Sequence, residues 1–253
     1  MVLYIVLFFI LGCLMGSFYG VLGMRIPNGE KFIWDHSRCD NCYHNLKFYE
    51  MIPVISYFMQ KGRCRYCDQE ISPLFPLIEL ATGLLYAISF YSFGMSLNFL
   101  LALFIISLFI IVLVSDLTYL VIPDSVLFFF ALCFLIIQYF RVGLESTFYH
   151  VLTGSFLFLL MYLIMCLGNK LFKKESLGGG DIKMLFLFGL ILDPLLGTLS
   201  IFLGSFIALP ISLVIYYFSK ENVIPFGPFL LLSFLLIYFS KITPEMILTF
   251  LGI

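Results

Sequence analysis

Long apolar runs constrain the fold of this chain more than any other feature of its sequence. The first, residues 3–24, contains no charged side chain and is long enough to cross a bilayer, which takes about 20 apolar residues in a helix. Further runs lie at about residues 74–91, 97–114, 122–140, 148–168, 182–192, 195–219 and 226–250. Only 11% of all residues are charged, against about 25% in soluble domains. The sequence therefore predicts an all-α polytopic membrane protein with about eight transmembrane helices.

Two of these runs are less regular than the others. The run at 182–192 is short and ends at Asp193-Pro194, where the proline is expected to break a helix. The run at 3–24 has neither a positively charged n-region before it nor a small-residue cleavage site after it. We therefore expect it to be a retained first helix rather than a signal peptide.

The distribution of positive charge predicts the orientation of the spans. Eight spans with the N-terminus outside place segments 25–73, 115–121, 169–181 and 219–225 in the cytoplasm. With Lys183 at the membrane edge, twelve of the fourteen Lys and Arg residues then lie inside, and only Arg141 and Lys241 lie outside. This bias agrees with the positive-inside rule. The net charge of −1 gives no general attraction to nucleic acid, and membrane lipid is the expected surrounding.

Four of the seven cysteines stand in the first cytoplasmic loop as two CxxC pairs. They are Cys39 with Cys42 and Cys64 with Cys67, with 21 residues between the pairs. Four thiolates at this spacing suit a tetrahedral structural zinc site, although the gap is just longer than is usual for paired CxxC motifs. A reducing cytoplasm disfavours disulfides. A redox-active CxxC pair and unmetallated thiols are the alternatives. The pattern predicts a zinc-stabilised loop between the first and second spans.

Two carboxylates lie at the predicted cytoplasmic edge of the membrane. Asp116 ends the run at 97–114, and Asp181 follows three glycines, Gly178 to Gly180, at the start of the run at 182–192. Two carboxylates brought together can share one proton, which is the arrangement of aspartic proteases. The alternative for Asp181 is a helix N-cap, a position that Asp favours. The sequence predicts that these two acids face the same compartment.

Three further charged residues lie near the same membrane edge. Asp124 opens the run after Asp116 at a position suited to capping its helix. Glu79, near the cytoplasmic end of the second span, is a candidate partner for Lys183 or Arg25 or a part of a substrate groove. The alternative is a side chain that only reaches the interface. Lys183 is a candidate to orient Asp181 or to bind substrate, or it extends its charge to the interface.

Short motifs along nearly the whole chain give these features a family context. They are Gly16-Ser-Phe18, Arg25-Ile-Pro27, Ser37-Arg-Cys39, Ile52-Pro-Val-Ile-Ser-Tyr57, Gly62-Arg-Cys-Arg-Tyr-Cys67, Pro76-Leu-Ile-Glu79, Ile122-Pro-Asp124, Gly178-Gly-Gly-Asp181-Ile-Lys183 and Pro225-Phe-Gly-Pro228. With Asp116 and the four cysteines, the sequence resembles the type IV prepilin peptidases, membrane aspartyl proteases of the GxGD kind.

The resemblance implies an activity and a set of site residues. It implies that Asp116 and Asp181 are the catalytic pair and that residues 74–253 form the peptidase domain after the first helix, 1–24. The substrates would be type IV prepilins or pseudopilins, whose leader is cut at the cytoplasmic face of the bacterial membrane. Gly178 and Gly180, which lack side chains, would let a scissile peptide approach closely.

The resemblance also implies a second activity for the cysteine-bearing loop, residues 25–73. Many family members with such a loop methylate the new N-terminal residue with S-adenosylmethionine, and we expect both activities here. One departure concerns Gly20, because the first-span motif usually has an Asn at that position. If that Asn supports the loop or the methyl-donor site, methylation would be reduced.

Three other function classes are compatible with parts of the pattern. A proton-coupled transporter would use Asp116, Asp124 and Asp181 as a relay, although such acids usually lie near the middle of the membrane. A membrane thiol oxidoreductase would use the CxxC pairs, and an assembly scaffold would need only the zinc-stabilised loop. Zinc content, thiol state and Asp-to-Asn variants separate these classes from a protease.

Overall fold

The computed structural model describes residues 1–31, 37–39, 41–173, 178–219 and 225–251. Parts of the predicted cytoplasmic segments 25–73, 169–181 and 219–225 lie outside these ranges. Lys174 and Lys220, which the predicted topology places in the cytoplasm, are among the residues outside them.

Regular secondary structure in the described residues is helical. The helices are α1 (Val2–Arg25), α2 (Ile55–Met59), α3 (Leu74–Phe93), α4 (Leu97–Tyr119), α5 (Asp124–Phe172), α6 (Gly179–Gly189), α7 (Pro194–Ser219), α8 (Gly227–Ser240) and α9 (Pro244–Leu251), with a short 3₁₀ turn at Phe48–Glu50. Five segments are long and apolar enough to cross a membrane: Val2–Arg25, Leu74–Phe93, Leu97–Tyr119, Asp124–Leu171 and Pro194–Ile215. The predicted all-α membrane architecture is confirmed.

The number of spans depends on one long helix and two short ones. Helix α5 has 49 residues, but Gly143 inside it has φ 82° and ψ 175°, which is not helical and divides α5 into two parts. Helices α6 and α8 have 11 and 14 residues, fewer than the about 20 that a simple span needs. The count of about eight spans therefore stays a prediction.

The chain divides into two compact units, Met1–Met95 and Ser96–Ile253. In the first unit, α1 packs against α3 through small residues. A Cβ atom added to Gly12 would lie 2.7 Å from Gly83 Cα, and one added to Gly16 would lie 2.9 Å from Glu79 Cα. Glycines permit such backbone approach between helices in membranes. By activity, the sequence predicts a cysteine-bearing loop at 25–73 and a peptidase domain at 74–253, and that division stays a prediction.

The second unit is built around α4, most of which is buried, including fully buried Leu101, Ile105 and Leu108. Helix α6 packs closely on α5, as Gly189 shows: a Cβ added there would lie only 2.4 Å from Gly154 Cα. It also packs on α8, where Phe188 and Phe234 stack with ring centroids 4.3 Å apart. These contacts hold the short helix α6, whose first turn carries Asp181.

Candidate active site and metal centre

The two predicted catalytic acids lie at the ends of two helices of the second unit. Asp116 is in the last turn of α4, which ends where Leu120 adopts a left-handed φ of 55°. Asp181 is the third residue of α6, whose N-cap is Gly178. Both side chains are buried, with 6% and 7% of their surface exposed. A buried carboxylate needs a compensating partner or a task.

Gly227, at the start of α8, shows that the two carboxylates converge. A Cβ atom at this glycine would lie 3.1 Å from Asp116 Oδ2 and 3.3 Å from Asp181 Oδ1. The two oxygens therefore face one point, and they lie no farther apart than these two distances combined. The backbone N–H of Gly227 also donates a hydrogen bond to the Asp116 carboxylate. Asp116 and Asp181 are thus brought together, on different helices, in the same unit.

The two oxygens of Asp181 have different surroundings. The Asp181 carboxylate accepts a hydrogen bond from the Gly178 backbone N–H, and a Cβ on Gly178 would lie 3.3 Å from Oδ2. This contact resembles half of a capping box, in which the third residue of a helix bonds back to the N-cap amide. Oδ1 is buried and has no hydrogen-bond partner among the described residues. One oxygen thus holds the helix start, and the other is left for Asp116 or a reactant.

The three glycines before Asp181 are not equivalent. A Cβ on Gly180 would lie 2.8 Å from the Cβ of Ile122, in the connection between α4 and α5. A Cβ on Gly179 would meet no atom within 4 Å. The Ile122 side chain also reaches Gly227, where a Cβ would lie 2.9 Å from its Cδ1. Ile122 thus packs between two glycines that flank the carboxylates.

Sequence reasoning gave no role to Gly227 or Ile122. Both stand in motifs that carry the family resemblance, Pro225-Phe-Gly-Pro228 and Ile122-Pro-Asp124, and this was the available signal. Their proximity to the acids depends on how α4, α6 and α8 pack, which a linear pattern does not contain.

Lys183 contacts Asp124 in the structure. Its Nζ lies 2.8 Å from both carboxylate oxygens of Asp124, and both side chains are at least half exposed. Such exposed pairs contribute about 1 kcal/mol or less to stability. The pair joins the first residue of α5 to the fifth residue of α6. Lys183 thus contacts Asp124 here, and its role in orienting Asp181 stays a prediction.

Glu79 lies in the first unit and is buried. Its Oε2 accepts a hydrogen bond from the Val54 backbone N–H at 2.6 Å, and its carboxylate also bonds the Ser17 side chain. These contacts tie α3 to the loop and to α1. Glu79 is therefore engaged by groups that sequence reasoning did not consider.

The four loop cysteines form one cluster. Their Sγ atoms all lie within 4.8 Å of one another, with 3.7 Å between Cys39 and Cys67 and 4.0 Å between Cys42 and Cys64. A tetrahedral Zn²⁺ with Zn–S bonds of about 2.3 Å requires sulfur atoms roughly 3.8 Å apart. The cluster fits a structural zinc ion.

The two CxxC pairs have the same local backbone. In each, the residue after the second cysteine has a positive φ, 56° at Tyr43 and 58° at Asp68. The backbone N–H of that residue donates to the carbonyl of the first cysteine, at 2.9 Å to Cys39 and 3.0 Å to Cys64. The first cysteine in turn donates its N–H to the carbonyl five residues on, at 3.0 Å and 2.8 Å. This repeated turn aims two pairs of thiols at one point.

The backbone also tunes two of these thiols. A hydrogen bond from the Gln69 backbone lowers the pKa of Cys67 from 9.0 to about 7. At Cys42 a backbone hydrogen bond from His44 lowers the pKa, but burial and the neighbouring thiols outweigh it and raise it to about 11. Cys67 is therefore deprotonated more readily than Cys42. This matters for metal binding because the thiolate is the form that binds a metal.

Two family models match separate parts of the chain. The Bacterial Peptidase A24 N-terminal domain matches residues 10–93, and the Type IV leader peptidase family matches residues 102–213. The gap between the two matches contains the boundary between the two structural units.

Several relatives that match most of the chain carry the name prepilin leader peptidase/N-methyltransferase. The Bacillus subtilis protein is 33% identical, covering 91% of this chain and 92% of its own length. The Myxococcus xanthus protein is 34% identical, covering 78% of this chain and 59% of its own length. The Vibrio cholerae protein is 27% identical, covering 94% of this chain and 97% of its own length. No solved structure matches the chain. The chain belongs to the type IV leader peptidase family.

Proposed function

We propose that this protein cleaves the leader peptide of type IV prepilins or pseudopilins with Asp116 and Asp181 as its catalytic pair. The observation that carries this proposal is the convergence of the two buried carboxylates on Gly227. The names of the relatives supply the substrate class. The comparisons give no support to a proton-coupled transporter.

The chemistry follows from two carboxylates that share one proton. Two negative charges on neighbouring carboxylates repel each other and disfavour double ionisation, so one acid is protonated while the other is a carboxylate. The ionised acid takes a proton from a water molecule, which attacks the scissile carbonyl carbon. The protonated acid donates a hydrogen bond to the carbonyl oxygen, and a proton then passes to the leaving amine. Hydrolysis therefore needs no other nucleophile.

The glycines around the pair provide the access that an extended peptide requires. Gly179 faces open space and Gly178 presents backbone without a side chain beside Asp181, whereas the space at Gly180 is filled by Ile122. The hydrophobic helix of the substrate would lie along α4 and α6, with its charged leader at the cytoplasmic surface. Asp124 opens α5 and Lys183 lies in α6, and the pair that they form is a candidate contact for substrate.

The second proposed activity is methylation of the new N-terminal residue. It is supported by the name of the relatives, and S-adenosylmethionine is the expected methyl donor. We assign the activity to the loop at 25–73, because the acid pair lies in the other unit. A Zn²⁺ ion held by Cys39, Cys42, Cys64 and Cys67 would cross-link this loop, which has little hydrophobic core of its own.

The proposed location is the cytoplasmic membrane of a bacterium, with several passes and the acid pair facing the cytoplasm. The five candidate spans support the multi-pass arrangement. The excess of Lys and Arg in the loop at 25–73 supports the orientation, since positive residues concentrate in cytoplasmic loops.

The test is to co-express a prepilin substrate with wild type, Asp116→Asn, Asp124→Asn or Asp181→Asn, and to follow leader removal by mass spectrometry. We expect no cleavage with Asp116→Asn or Asp181→Asn, and reduced cleavage with Asp124→Asn, which is outside the pair. The same spectra report an added methyl group. Wild-type cleavage by both Asp116→Asn and Asp181→Asn would show that these acids are not the catalytic pair.

A further inference from the structure

An unusual turn stands between the two cysteine pairs, at Val54. This residue has φ 64° and ψ −52°, and the Ile55 N–H donates to the Pro53 carbonyl at 2.6 Å. These values describe a three-residue γ-turn of the rare form with positive φ, which is strained for any residue with a side chain. Val is among the least suited, because its branched Cβ crowds the backbone at positive φ. Strain of this kind persists only where surrounding contacts hold it.

Glu79 supplies the contact that holds this turn. Its Oε2 accepts the hydrogen bond of the Val54 backbone N–H at 2.6 Å, shorter than most amide–carbonyl bonds. The Glu79 side chain is buried in α3 and is fixed from a second side by Ser17 on α1. The acceptor is therefore held in place by two helices.

The turn determines where the second cysteine pair lies. Helix α2 begins directly after Val54, and the Gly62 N–H bonds back to the Tyr57 carbonyl of α2 at 2.9 Å. Gly62 has φ 69°, and a Cβ there would lie 3.0 Å from the Tyr57 hydroxyl oxygen. Cys64 follows two residues later. A connected path thus runs from the Glu79 side chain through the Val54 turn and α2 to Gly62, two residues before the second cysteine pair.

We propose that Glu79 is a positioning residue for N-methylation, acting through the Val54 turn on the geometry of the cysteine loop. This inference rests on the proposed methyltransferase function. It uses Glu79 as a hydrogen-bond acceptor and not as an acid or base. We expect leader cleavage to be retained without it, because Asp116 and Asp181 both lie in the second unit.

The test compares four variants with wild type, each co-expressed with a prepilin whose leader removal and methylation are read in one mass spectrum. Glu79→Ala lowers the methylated fraction about tenfold or more through misplacement of the loop, with cleavage within about twofold of wild type. Glu79→Gln stays close to wild type, because its amide oxygen can accept from Val54 and its NH₂ can donate to Ser17. Val54→Gly alone retains both activities. Val54→Gly combined with Glu79→Ala restores methylation to within about threefold of wild type, because glycine adopts this φ without strain.

A readout independent of activity accompanies these measurements. Amide hydrogen exchange of the peptide covering Val54 to Met59 rises in purified Glu79→Ala protein and returns to wild-type levels in Glu79→Gln. Cleavage in the same cells shows that each variant has folded.

The outcomes separate this inference from the function on which it rests. A wild type that cleaves but never methylates refutes the methyltransferase assignment itself. A methylating wild type with an equally methylating Glu79→Ala variant overturns the role of Glu79. Loss of methylation in Glu79→Gln shows that the carboxylate acts chemically, and failure of Val54→Gly to rescue shows that the turn is not the route; either result overturns positioning.

Discussion

At the scale of single residues, the glycines near the acid pair differ in whether they can be replaced by a residue with a side chain. A Cβ on Gly180 would lie 2.8 Å from Ile122, which is too short, and a Cβ on Gly227 would lie 3.1 and 3.3 Å from the two carboxylates, closer than ordinary contact. A Cβ on Gly179 would face open space. A GxGD pattern records this difference only as a fixed and a variable position. The structure supplies the reason, because the variable position is the one where a side chain fits.

This difference gives a prediction with a matched control. Gly180→Ala places a Cβ 2.8 Å from Ile122 Cβ, so either α6, which carries Asp181, or the connection that carries Ile122 must shift, and either movement disturbs the acid pair. Since a misplacement near 1 Å can cost about a hundredfold in rate, we expect a loss of leader cleavage of that order. Gly179→Ala should retain cleavage within about twofold, because Ala is a better helix former than Gly and meets no neighbour. Initial rates of leader removal at matched expression measure both, and equal rates for the two variants would contradict the packing argument.

At the scale of elements, the sequence predicted those features that depend on local pattern. Helices α1, α3 and α4 follow from uninterrupted apolar runs, and the four-cysteine cluster follows from the spacing of its CxxC pairs. The meeting of Asp116 and Asp181 was also foreseen, from their shared depth at the membrane edge. The Val54 turn was not, because Ile52-Pro-Val-Ile-Ser-Tyr57 gives no sign of a positive φ at a branched residue. The acceptor that holds this turn is 25 residues away.

The cysteine cluster gives a prediction about metal and pH. We expect purified wild type to contain one zinc ion per chain and Cys67→Ser to contain much less. Without metal, the Cys67 thiol has a pKa of about 7, so it is a thiolate above that pH and protonated below it. Zinc must displace this proton below pH 7, and affinity should therefore fall more steeply as pH decreases through that value. Competition with a chromogenic chelator between pH 6 and 8 measures this change in slope, and a constant slope would contradict it.

At the scale of the whole molecule, the two units carry two separate sets of candidate functional residues. The acid pair and the glycines around it lie within Ser96–Ile253, and the cysteine cluster with Glu79 lies within Met1–Met95. The two family models divide the chain at the same place. A chain organised in this way is expected to lose one activity without losing the other.

That expectation is tested by providing a substrate that no longer needs cleavage. Asp181→Asn should not methylate a full-length prepilin, because the new N-terminus is never formed. Given a pilin whose leader has already been removed, the same variant should methylate it within about threefold of wild type, since its loop unit is unchanged. Cys67→Ser is the reciprocal control, because it should cut the full-length prepilin but methylate neither substrate. If Asp181→Asn leaves the pre-cleaved pilin unmethylated while its zinc content stays at the wild-type level, methyl transfer requires the acid pair as well. The two activities would then share one site.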